Sequence, residues 1–99
     1  MKVRVRVSEE NIRDGMPRAP HACPIALALQ DLGFKEPWVY PDGLLLRDPV
    51  GNQRESIRLS QRALTFMWRT DALMRVDPFN FDIDIPNELM PPPISLTAS

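Results

Sequence analysis

A chain of 99 residues has room for one domain and one core. Its 43% hydrophobic and 25% charged residues exclude an intrinsically disordered chain. A net charge of −1 gives no bulk attraction for nucleic acid, one Cys excludes an internal disulfide, and no apolar run is long enough to span a membrane as a helix.

The charge is unevenly spread. All 12 basic residues, ten of them Arg, lie within residues 1–75 beside nine acids. Residues 76–99 carry four acids and no base. Arg contacts carboxylate and phosphate with two parallel hydrogen bonds, which Lys cannot do. A solvated basic surface is the plain alternative.

In chain order, Val3, Val5 and Val7 alternate with Lys2, Arg4 and Arg6, the pattern of a half-buried strand. Ser8 is a helix N-cap, Glu9 to Asp14 a short helix with acids in its first turn, and Gly15 its stop. The prolines of 16–20 exclude regular helix there. Cys23 then stands at an N-cap and Pro24 at the first helical position, where a missing N–H costs nothing. Ile25 to Leu32 is apolar nearly all round, so this helix is buried on most sides, and Gly33 closes it as a left-handed cap.

Trp38 to Tyr40 reads as a strand, Pro41-Asp42-Gly43 as a turn, and Leu44 to Arg47 as the return strand. A second turn at 48–52 leads to a third strand, Arg54 to Leu59. Ser60 caps a helix from Gln61 to about Met74. From Pro78 to Pro86 apolar and polar residues alternate, with Asn80, Asp82 and Asp84 on the outer face. Next to the first strand, this one would let Arg4 and Arg6 pair with those acids across the sheet. Pro91-Pro92-Pro93 cannot join a sheet interior.

The order predicts an α+β fold, with an antiparallel sheet of about five strands covered on one face by the two main helices. Residues 1–86 form the single domain, and 87–99 form a Pro-rich tail that is disordered, lies over a partner subunit or acts as a docking arm. A core this small favours a homo-oligomer. The alternating N-terminus lacks the apolar stretch of a signal peptide, so the expected location is cytoplasmic.

Ile12-Arg13-Asp14-Gly15, Cys23-Pro24-Ile25-Ala26-Leu27-Ala28, Asp71 and Val76-Asp77-Pro78-Phe79-Asn80-Phe81 follow one another in that order. In these features the chain resembles a group of small bacteriophage and prophage proteins of uncharacterised function. The resemblance spans about residues 2–85 and departs at Pro20-His21-Ala22, where small or polar residues are expected before the Cys. It implies a phage origin and a place in the cytoplasm of the host cell, but no chemistry.

The residues in front of the second helix are the candidate site. Free N–H groups at a helix start, with the helix dipole, favour an anion. Arg18, His21 and Cys23 flank that start, and Arg4, Arg6 and Arg62 are cations that the fold could add. The ordinary alternative is that Cys23 caps a buried helix and His21 sits in a solvated turn. A thiol at a helix start is also a potential nucleophile with His21 as base, but no third orienting residue is identifiable. One His and one Cys make at most half of a zinc site, and nothing in the sequence calls for a cofactor. The expected function is therefore non-catalytic: a phage anti-defence protein that sequesters a phosphorylated host signalling nucleotide. The alternative is a protein that binds and blocks a host defence enzyme, with the acidic strip Asp77 to Glu88 as its contact.

Overall fold

The computed structural model describes residues 1–40, 43–47 and 54–90. Strand β1, Lys2–Val7, pairs antiparallel with strand β5, Phe79–Asp84, although 71 residues separate the end of one from the start of the other. Both strands have apolar residues at every second position, and both turn that side inward. Val5, Val7, Phe81 and Ile83 are buried, while Lys2, Arg4, Arg6, Asn80, Asp82 and Asp84 face solvent. The register sets Arg4 opposite Asp82 and Arg6 opposite Asn80. Reciprocal bonds between Met1 and Ile85, 2.9 and 2.8 Å, continue the pairing by one step.

The other three strands form a separate meander. Strands β2, Trp38–Tyr40, β3, Gly43–Arg47, and β4, Arg54–Ile57, pair antiparallel in that order. Val39, Leu44, Leu46 and Ile57 line its inner face, and Trp38, Tyr40 and Leu45 lie half-buried on the outer one. Gly43 is required by proximity, because a Cβ there would stand 2.9 Å from the carbonyl oxygen of Ile57. The turns expected at 41–42 and 48–52 lie outside the described residues.

The class is α+β, but the expected single sheet of about five strands is corrected to two antiparallel sheets of two and three strands. Helix α2, Pro24–Asp31, lies against a strand of each sheet. Ile25, Ala26, Ala28 and Leu29 are buried, and the helix packs against both β1 and β2.

Helix α1, Glu9–Asp14, begins with a reciprocal cap. The Ser8 hydroxyl accepts from the Asn11 N–H at 3.1 Å, and the Asn11 carboxamide oxygen accepts from the Ser8 N–H at 2.9 Å. Helix α3, Gln61–Asp71, starts at Ser60, whose hydroxyl accepts from the Ala63 N–H at 3.3 Å. It ends three residues before the expected Met74. Leu73 takes a left-handed conformation, φ 61°, and Met74 donates its N–H back to the Arg69 carbonyl at 2.9 Å. No Gly marks that stop, so no local signal announces it. After β5 a 3₁₀ turn, Asn87–Leu89, brings Leu89 into the core, and Met90 packs beside it. Packed chain therefore extends to Met90.

Candidate functional site

The residues named from sequence fall into two clusters. The first surrounds the start of α2. Cys23 occupies the N-cap in extended conformation, and Pro24, Ile25 and Ala26 follow it into the interior. The preceding loop folds back over this end. Met16 donates to the Ala22 carbonyl at 2.8 Å, Cys23 to Ala19 at 2.9 Å, and Val39 to Pro20 at 2.7 Å. The loop thus covers this end of α2, where Cys23, Pro24, Ile25 and Ala26 are buried.

Cys23 is itself buried, lining a hollow of about 240 Å³ with Arg18, Tyr40, Met67 and Asp71. Burial pushes its thiol up, and the Asp71 carboxylate adds to this. The nearby N–H groups of Ala26 and Ile25 pull the other way without prevailing. The thiol is therefore kept protonated, the opposite of what a nucleophile needs.

Arg18 is engaged with helix α3. It adopts φ 63°, donates its N–H to the Asp71 carboxylate at 2.8 Å, and donates Nε–H to the Asp71 main-chain carbonyl at 3.1 Å. These bonds fasten the loop to the end of α3. His21 is exposed, with its ring centroid 5.9 Å from that of Trp38. His21 and Trp38 line a wide hollow of about 770 Å³, with Gln30, Lys35 and Glu36 around it.

The second cluster gathers Arg4, Arg6 and Arg62. Arg62 lines two hollows, of about 480 and 400 Å³. Arg69, Thr65, Asp77 and Phe79 share the first with it; Arg4, Ser60, Asn80 and Asp82 share the second. The Arg62 guanidinium carbon stands 5.7 Å from the Phe79 ring centroid, within cation–π range. Phe79 stacks with Phe66, at 4.6 Å, and with Phe81, at 5.6 Å. Arg4 holds Asp82 at 3.1 Å and lowers its carboxyl below the usual range, chiefly through the hydrogen bond. Arg6 shares the outer face of β1, opposite Asn80.

Sequence reasoning passed over Trp38, Tyr40, Arg69 and Phe79. The signals were present: Trp38 and Tyr40 alternate on one strand, and Arg62 and Arg69 are seven residues, about two helical turns, apart. Among the described residues no three His, Cys, Asp or Glu side chains are grouped to hold a metal, and no helix is long and apolar enough to cross a membrane. Compared with known proteins, the chain matches no protein-family model, no curated protein and no solved structure.

Proposed function

We propose that the chain is a small phage anti-defence protein that captures a phosphorylated host signalling nucleotide without catalysis. The binding place we infer is the pair of hollows around Arg62, rather than the start of α2. One observation carries this reading: Arg62 stands in the wall shared by both hollows, over Phe79, with Arg4 and Arg69 on either side. A guanidinium grips phosphate oxygens in pairs. The two volumes lie in the range of small-molecule sites. The phage resemblance supports the biological setting.

Titration calorimetry with a panel of cyclic and ADP-ribose-type nucleotides tests the proposal. A ligand from the panel should bind, and Arg62→Ala should weaken it roughly tenfold or more, the scale of one lost hydrogen bond to a charged group. His21→Ala should leave affinity unchanged. Absence of heat across the panel, or equal binding by Arg62→Ala, rejects it.

The alternative, a blocker of a host defence enzyme, is favoured by a different surface. Trp68, Leu73 and Met74 are exposed around the end of α3, with Trp68 66% and Leu73 75% accessible. Under that reading Trp68→Ala and Leu73→Ala, not Arg62→Ala, abolish association with the enzyme.

A further inference from the structure

The sheet of β1 and β5 has two strands, so among the described residues each strand has one edge that no other strand pairs. The reciprocal bonds of Met1 with Ile85 fix the phase of the ladder. In an antiparallel pair, residues that exchange both bonds alternate with residues that exchange none. Carried through the register, this turns the N–H and C=O groups of Val3, Val5 and Val7 to β5, and those of Lys2, Arg4 and Arg6 away from it. Among the described residues no hydrogen bond takes up the main-chain groups of Lys2, Arg4 or Arg6. A row of such groups is what an extended chain pairs with when it adds a strand to a sheet.

Charge selects what fits there. The side chains of Lys2, Arg4 and Arg6 are exposed on the outer face, and an added strand sets its own outward side chains opposite them. Arg4 is held by Asp82, whereas Lys2 and Arg6 form no ion pair among the described residues. Acids on the added strand are therefore favoured, and a second β1 brought up by a two-fold axis would put cation against cation. On the inner face Val5 and Val7 are fully buried but Val3 is only half-buried, so an apolar residue on the added strand would cover it. The edge of β5 differs. Its outward-turned groups belong to Asn80, Asp82 and Asp84, whose acids repel an acidic strand, and Ser60 and Arg62 share a hollow with Asn80 and Asp82.

We propose that the open edge of β1 takes, as a third strand, an extended segment of a partner protein in which acidic residues alternate with apolar ones. Main-chain bonds to Lys2, Arg4 and Arg6 hold the segment, and the cations select its acids. The inference is independent of the nucleotide reading, since neither Lys2 nor Arg6 lines the hollows around Arg62.

The probe is a capped peptide of alternating Glu and Val, about as long as β1, added to the full-length protein. Hydrogen exchange read by NMR distinguishes single amides. In the free protein the amides of Lys2, Arg4 and Arg6 should exchange fast and those of Val3, Val5 and Val7 slowly; with the peptide bound, the first three should slow roughly tenfold or more. Of two peptides N-methylated at alternate amides, one on Glu and one on Val, only one should bind, because a strand turns every second residue's N–H to its neighbour. Lys2→Glu with Arg6→Glu should weaken the Glu peptide roughly tenfold, since two favourable cross-strand pairs become unfavourable, and should create binding of a peptide with Lys in place of Glu. An unfolded variant would not make that exchange of preference. No binding of the Glu peptide, binding that leaves the three amides fast, equal behaviour of the two methylated peptides, or a charge-reversed protein that still prefers Glu overturns the proposal. So does a protein whose three amides are already slow without peptide, because its edge is then occupied by the chain itself or by a second copy.

Discussion

A Cβ on Gly15 would stand 2.6 Å from Cδ of Pro24 and 2.7 Å from its Cγ and N, so the end of α1 rests directly on the first residue of α2. Gly15 has an ordinary extended conformation, φ −73° and ψ 152°; the requirement is for space alone. The two sequence features Ile12-x-x-Gly15 and Cys23-Pro24 are therefore two sides of one contact. Gly15→Ala should destabilise the fold by about 1–3 kcal/mol, the usual cost of overpacking, because neither a proline ring nor backbone can swing aside. In thermal melts this lowers the midpoint by about 4–8 °C per kcal/mol. Pro24→Ala in the same chain, which removes the ring carbons, should recover part of the loss. An unchanged midpoint for Gly15→Ala would refute the contact.

Arg18 and Asp71 form a clamp whose parts separate by mutation. The left-handed conformation of Arg18 costs an L-residue about 1–2 kcal/mol, and its Nε–H bond returns about 0.5–1.5. Arg18→Ala keeps the strain and loses the bond, so stability should fall by about 1 kcal/mol. Arg18→Gly loses the bond but also the strain, so it should melt close to the parent. The same ranking in urea titrations checks the assignment, and a less stable Gly variant contradicts it.

Cys23 should be unreactive in the folded protein. Burial holds the thiol protonated, so a thiol-specific probe at neutral pH should label it only after denaturant is added. The raised value has a thermodynamic counterpart. Above the ordinary thiol value, near pH ~8.5, the unfolded chain ionises while the folded one does not, so stability falls as pH rises. Cys23→Ala should remove that alkaline loss. Rapid labelling of the native protein would return Cys23 to the list of candidate nucleophiles.

The Arg4–Asp82 pair acts at the other end of the pH range. The Asp82 carboxyl is lowered, so its contribution is present above the ordinary carboxylate value and is lost as pH falls through the lowered one. The pair is exposed, so the contribution is small and salt should screen it. Asp82→Asn should flatten the fall in melting temperature below about pH 4, and added salt should reproduce that effect in the parent. An acid limb that is identical in the variant and the parent removes the pair from the account.

Local pattern determined much of this protein. The alternation of β1 and β5, the caps at Ser8 and Ser60, Pro24 at the start of α2 and the left-handed Gly33, φ 100°, all depend on neighbours within a few residues, and all were legible in the sequence. Even the facing of Arg4 and Asp82 could be read as a conditional pairing, because both strands have the same two-residue period. Tertiary structure decided what no local rule contains. The strands divide into two sheets, α2 packs against a strand of each, and a folded-back loop covers its start. The six candidate residues lie in separate places. Arg18 and Cys23 belong to a loop held by Asp71, whereas Arg4 of β1 and Arg62 of α3 line one hollow, and Arg6 shares the outer face of β1.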